Sequence, residues 1–164
     1  MREKVKILGV NFDKITSKDA LEKISDWLSP GIHLKKRHVV VTPNPEILLE
    51  AQKDDKYRRI LNKADLSIPD GIGVLWASKF RKIANTKDSK LKKCSKWFVS
   101  LSMIPISKSY IRTELPERVT GVDLMEKICK LAEIKGSKVF LLGAGKGIAR
   151  RTAEKLMEKY PELL

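Results

Sequence analysis

Three short polar loops hold the residues of this chain whose types and spacing could do chemistry: Thr42-Pro43-Asn44-Pro45, Pro69-Asp70-Gly71 and Gly143-Ala144-Gly145-Lys146-Gly147. Each follows an apolar run that reads as a β-strand, and open parallel sheets bind ligands in the crevice at the carboxyl ends of their strands. The loops therefore converge on one rim with a carboxylate, a hydroxyl and an amide to offer. Singly, each has a local use as well. Thr42 can bond its own turn, Asn44 and Asp70 can cap helices, and Gly143 can permit a tight bend.

The glycine loop resembles phosphate-cradling loops, whose backbone N–H groups point at an anion. It matches neither familiar pattern. A dinucleotide fingerprint wants glycine or alanine where Ile148 stands, and a P-loop wants serine or threonine after its lysine, where Gly147 stands. General phosphate binding through Lys146 and a helix N-terminus is the expectation that survives. The chain has no GxSxG, no HExxH and no Asp-x-Asp pair. His33 and His38 lie far from any cysteine and read as structural residues. Cys94 and Cys129 lack CxxC spacing and read as ordinary thiols.

The elements that position these loops follow from periodicity and punctuation. Val5 to Val10 reads as a strand, followed by a helix opening near Thr16 or Ser17 with Ala20, Leu21, Ile24, Trp27 and Leu28 on one face. Ser29-Pro30-Gly31 stops it. His38 to Val41 is a buried type of strand. Pro45 is suited to the first turn of a helix capped by Asn44 and carrying Ile47, Leu48 and Ala51. A helix over 56–64, a strand over 66–68 and a helix over about 72–80 come next. Further on, Leu124, Ile128 and Leu131 repeat at helical spacing up to Gly136. A strand over 138–142 then leads through the glycine loop into a helix over 148–160, with Ala149, Ala153, Leu156 and Met157 inward. Alternating strands and helices predict an α/β fold, Rossmann-like, with a mostly parallel sheet and helices on both faces.

The 164 residues fit a single domain over 1–164, and 42% hydrophobic residues can build a core. No apolar stretch is long enough to span a membrane. The first ten residues offer no small-residue cleavage site, which predicts a cytoplasmic protein without a secretory signal. The net charge of +14 is concentrated: residues 79–113 contain ten cations against the single acid Asp88. That segment also holds Trp97, Phe98, Val99 and Leu101. Three readings are open: a nucleic-acid patch, a membrane-surface element, or a solvated insertion with a small packed helix.

The run VVTPNPEILLEAQKDDKYRRILNKADLSIPDGIGVLWASK, then LPERVTGVDLMEKI, then KVFLLGAGKGIARRTAEKLMEKYPEL resembles the WecG/TagA/CpsF glycosyltransferase family (family 26). The resemblance covers nearly all of residues 5–80 and 115–164, in order. It implies transfer of an N-acetylmannosaminyl-type sugar from a UDP donor to polyprenyl-diphosphate-linked N-acetylglucosamine, in teichoic acid or surface polysaccharide synthesis. It places the family's general base on Asp70, a catalytic threonine on Thr42 and substrate contacts on Asn44 and Arg118. An inverting transfer needs a carboxylate at the acceptor hydroxyl, and cations or amides at the departing diphosphate. Asp70 would supply the first, Arg118 with Gly143, Ala144, Gly145 and Lys146 the second. No metal and no cofactor are implied.

Two departures from the family pattern set further expectations. A basic insertion occupies about 81–114, where the pattern passes almost directly from WASK to LPERV. Beyond Leu164 the family continues into another strand and a basic appendage, so the sheet is expected to be incomplete at its C-terminal side. The insertion would then serve as a contact with an anionic membrane at the inner face of the cell membrane, and a homo-oligomer is allowed. Nucleic acid is not an expected partner. The alternatives are a nucleic-acid-binding module using residues 79–113, an inactive fragment of the transferase, and a dinucleotide-binding oxidoreductase domain.

Overall fold

The computed structural model describes residues 3–29, 37–84, 87–105 and 109–164, leaving Pro30, Gly31 and His33 outside the described residues. The chain forms two compact units. The first comprises Met1–Ser17 with His38–Gly121, the second Lys18–Arg37 with Val122–Leu164.

The first unit opens on a hairpin, β1 (Lys4–Ile7) and β2 (Val10–Asp13), paired antiparallel with Val5 opposite Phe12. The expected single strand over 5–10 is therefore corrected. Leu8 and Gly9 both take left-handed backbone, at φ 46° and 79°, the requirement of a two-residue turn whose twist matches the strands. Asn62 holds the turn from outside, receiving the Asn11 N–H at 2.8 Å and donating to the Gly9 carbonyl at 2.9 Å. Alternation places Val5, Ile7, Val10 and Phe12 in the core.

β3 (Val40–Val41) and β4 (Leu66–Ser67) form a parallel pair, joined by α2 (Pro45–Lys53) and α3 (Asp55–Lys63). Asn44 caps α2 by accepting the Ile47 N–H at 2.9 Å, with Pro45 in the first turn as expected. Asp54 caps α3 through the Lys56 and Tyr57 N–H groups. α4 (Ile72–Ile83) follows β4 and buries Val74, Leu75 and Ser78. The core joins the hairpin to Leu48, Ala51, Leu61, Val74, Leu75, Ile111 and Leu115.

The basic segment is built onto this core. α5 (Lys90–Ser102) packs beside α4, where Trp76 donates from Nε1 to Ser100 Oγ at 3.0 Å and meets Trp97 edge-on at 6.3 Å. Lys96 donates to the Ile83 carbonyl and to Asp88. Lys82 bonds Glu114 at 2.6 Å and holds that carboxyl below its ordinary range. The opposite face of α5 exposes Leu91 and Phe98, at 83% and 68%.

The second unit contains nearly all of α1 (Ser17–Trp27) and α6 (Gly121–Lys135), and all of α7 (Ile148–Lys159). Ala20 and Ile24 are buried on α1, and Leu124, Cys129 and Ala132 on α6. Burial pushes the Cys129 thiol up, in keeping with an unreactive core residue. Gly136, at φ 61°, ends α6, and the Ser137 N–H closes back on the Ala132 carbonyl at 2.8 Å. Leu156 and Tyr160 pack on Cys129 with Val139 and Leu141.

Two expectations fail in this unit. Met157 is half-exposed rather than inward. The run 138–142 forms no strand among the described residues; Val139 bonds the Leu164 carbonyl, and Phe140 and Leu142 stand 86% and 91% exposed. An extended run becomes a strand only where a neighbour takes up its backbone groups in a ladder, and among the described residues the single bond to Leu164 makes none. The architecture is thus mixed α/β, with seven helices, one hairpin and one parallel pair among the described residues.

Candidate functional site

Because β3 and β4 run parallel, the loops leaving them lie side by side. Val41 ends at Thr42-Pro43-Asn44, and Ser67 leads through buried Ile68 and Pro69 to Asp70. Three backbone bonds stitch the loops together: Ile68 N–H to the Val41 carbonyl at 2.9 Å, Asp70 N–H to the Pro43 carbonyl at 3.2 Å, and Val119 N–H to the Pro69 carbonyl at 3.2 Å. Thr42, Asn44, Asp70 and Arg118 therefore come together within the first unit.

Asp70 does not cap the helix that follows it. Gly71 is the N-cap of α4, at φ 100°, and no side chain caps that end. The Asp70 carboxylate instead crosses to the first residue of α6, accepting the Gly121 N–H at Oδ2 over 3.1 Å. A carboxylate at a helix N-terminus satisfies one of the donors that have no intrahelical partner. Asn44, by contrast, does take the local role open to it, with Oδ1 committed to α2.

The loops approach so closely that a side chain on either of two glycines would force a neighbour to shift. A Cβ on Gly73 would stand 3.0 Å from Pro45 Cγ. One on Gly121 would stand 2.9 Å from Thr42 Oγ1 and 3.5 Å from Asp70 Oδ2. The Thr42 hydroxyl, the Asp70 carboxylate and the start of α6 thus share one crowded corner. Gly121→Ala is expected to push Thr42 and Asp70 apart, cost about 1–3 kcal/mol of stability and remove the Gly121–Asp70 bond. Urea unfolding checks the first effect, and a crystal structure of the variant with Asp70 unmoved would contradict the second.

Beside this corner lies a cleft of about 250 Å³ lined by Ile72, Leu75, Ile111, Arg112 and Arg118. Arg118 is exposed, and its neighbours fix its backbone: Val119 is buried, and Glu117 accepts the Ser17 N–H at 2.7 Å. Arg112 enters from the basic segment and was not among the site residues read from sequence. The only signal it carries there is its charge, shared with nine other cations of that segment.

Gly143, Ala144, Gly145 and Lys146 lie in the second unit, exposed and leading into α7. Gly143, Ala144 and Gly147 take positive φ, at 107°, 62° and 78°, and Gly147 caps α7 without a side-chain bond. The N-terminal amides of α7 thus have no side-chain cap at Gly147. Among the described residues no group of three or more His, Cys, Asp or Glu is placed to hold a metal ion, and His38 stands 3.4 Å from Asp65. No described helix is long and apolar enough to cross a membrane.

A family model described as the glycosyl transferase WecG/TagA/CpsF family matches residues 5–93 and 95–164. The chain is 29% identical over 160 residues to proteins of Staphylococcus aureus strains NCTC 8325 / PS 47 and COL, covering 98% of this chain and 50% of each relative. Both bear the name N-acetylglucosaminyldiphosphoundecaprenol N-acetyl-beta-D-mannosaminyltransferase. The chain spans about half the length of these curated relatives.

Proposed function

This chain belongs to the WecG/TagA/CpsF glycosyltransferase family, and on that premise we propose that it transfers N-acetylmannosamine, or a related sugar, from a UDP donor. The acceptor is polyprenyl-diphosphate-linked N-acetylglucosamine, and the process is teichoic acid or surface polysaccharide synthesis. The observation that carries this reading is the corner where Asp70 Oδ2 sits on the Gly121 N–H beside the Thr42 hydroxyl. With one oxygen anchored, the carboxylate can present the other to an acceptor hydroxyl, the geometry a general base needs.

In the step so read, Asp70 takes the acceptor proton as the hydroxyl oxygen bonds to the anomeric carbon. The carbon–oxygen bond to UDP breaks, and UDP leaves with the electron pair. Attack opposite the leaving group inverts the anomeric centre, which agrees with a β-linked product from an α-linked nucleotide sugar. Thr42 holds the reacting hydroxyl. Asn44 contacts the sugar through the amide nitrogen that capping leaves available. Arg118 stabilises the departing diphosphate, and the amides of Gly143, Ala144, Gly145 and Lys146 are read as a phosphate-binding loop of the second unit. The β3–β4 pair is read as part of a Rossmann-like, mostly parallel sheet with helices on both faces.

The test is transfer from UDP-N-acetylmannosamine to a lipid-diphosphate N-acetylglucosamine analogue, followed as UDP release and by mass of the product. A disaccharide product supports the reading; a folded protein that forms none overturns it for this chain. The nucleic-acid and dinucleotide-binding alternatives are not favoured, since the family match accounts for the same residues.

A lipid-linked acceptor also calls for peripheral contact with the membrane at its cytoplasmic face. The exposed face of α5 suits it, since Leu91 stands among Lys90, Lys92 and Lys93 and Phe98 is exposed two turns further on. Leu91→Ser with Phe98→Ser is expected to weaken sedimentation with vesicles rich in phosphatidylglycerol by about tenfold or more, at roughly 0.8 kcal/mol per buried CH₂. Unchanged sedimentation would remove α5 as the contact.

A further inference from the structure

We propose that Arg112 and Arg118 together clamp the diphosphate of a substrate in the cleft beside Asp70, so that the basic segment completes the site. The inference rests on the transferase reading and extends it to a residue contributed by that segment. Both arginines line the same 250 Å³ cleft, and among the described residues neither takes part in an ion pair. Other cations of the segment are spoken for: Lys82 is held by Glu114, and Lys92 and Lys96 by Asp88. Arg112 lines the cleft, and no described carboxylate pairs with it.

Its placement is fixed by the core. Ile111 is 3% exposed and Leu115 fully buried, both in the main cluster, and Tyr110 packs against that cluster beneath Lys79, whose Nζ lies 4.9 Å from the ring centre. A backbone held on both sides keeps Arg112 at the cleft, so that only the entropy of its side chain is lost on binding. Ile72, Leu75 and Ile111 supply apolar walls beside the two arginines. Its volume falls below the ~300–1,000 Å³ of whole-ligand sites. That size suits one part of a substrate, and two forked donors in a lining without a described carboxylate select a diphosphate.

A diphosphate could belong to the nucleotide donor or to the lipid-linked acceptor, so both are tested, with inorganic pyrophosphate as the minimal probe. Calorimetric titration of the full chain compares wild type, Arg112→Ala, Arg112→Lys and Arg59→Ala, the last removing one exposed charge from α3. Arg112→Ala is expected to weaken pyrophosphate about 10- to 100-fold, the loss of a charge-assisted bond. Arg112→Lys should recover only part of this, because lysine lacks the fork. Arg59→Ala should bind as wild type does.

A matching loss for UDP assigns the clamp to the donor; a matching loss for a short-chain prenyl-diphosphate N-acetylglucosamine assigns it to the acceptor. Binding of all three probes to Arg112→Ala within twofold of wild type overturns the proposal, as does a wild-type protein that binds none of them. Arg112-dependent pyrophosphate binding without sugar transfer would remove the transferase reading and leave the clamp. Sugar transfer with normal KM values in Arg112→Ala would do the reverse.

Discussion

Asp70→Asn is expected to lower kcat for sugar transfer by about 10²–10⁴-fold, the usual contribution of a positioned general base, while leaving the fold intact. The amide is nearly isosteric with the carboxyl, and its oxygen can still accept the Gly121 N–H that the carboxylate receives at 3.1 Å. What the substitution removes is the capacity to take up a proton. KM for both substrates should therefore change far less than kcat, because the contacts that hold them are untouched. UDP release at saturating substrate, with a thermal melt alongside, measures both. Turnover equal to wild type would end the assignment of Asp70 as base. A large fall in melting temperature would instead make its bond to α6 a structural one first.

Asp13→Ala should produce the largest loss of stability of any single polar substitution in the first unit, about 3 kcal/mol. Asp13 is 1% exposed, accepts the Ser67 N–H at 2.9 Å and stands 3.6 Å from Lys4 Nζ. It ties the hairpin to β4. Alanine would leave a buried strand N–H without an acceptor and a void where the carboxyl stood, each with its own cost. Against a total stability of ~5–15 kcal/mol, that is a large fraction. Urea unfolding gives the number, and a cost under about 1 kcal/mol would show that the tie carries little. Asp13→Asn keeps an acceptor for Ser67 and should cost less. Since Ser67 lies only three residues before Asp70, its effect on kcat reports how far a disturbance in β4 reaches the proposed base.

Much of this was legible in the sequence where a local rule acts alone. Asn44 before Pro45 predicts the start of α2, and Gly136 the end of α6, because a cap or a left-handed residue acts within one turn of itself. The Thr42 and Asp70 loops were readable as neighbours because parallel strands release their loops at the same edge. The hairpin was not. Val5 to Val10 is one apolar run, and Leu8, which takes φ 46°, carries none of the turn chemistry that would mark it. The run 138–142 looks equally strand-like, yet pairing depends on a partner and not on the run itself. Asp70's partner lies 51 positions away, a distance at which only tertiary structure decides who meets whom. Arg112 was hidden for a different reason: in a segment with ten cations, charge alone does not separate the one that lines a cleft from those that meet carboxylates.

The crowding between the two loops also bears on how this chain can change over generations. Gly73 and Pro45, and Gly121 and Thr42, occupy one another's space, so a side chain added on one loop demands a compensating loss on the other. Drift there is coupled, and it is constrained by folding whether or not any sugar is transferred. Arg118 is exposed and under no such packing pressure, whereas Asp70 is half-buried and held in the same corner by the Gly121 N–H. A descendant relieved of catalysis would therefore keep its glycines and prolines and lose the Arg118 guanidinium first. The glycines and prolines of these loops record the fold's demands, and the exposed Arg118 records the chemistry's.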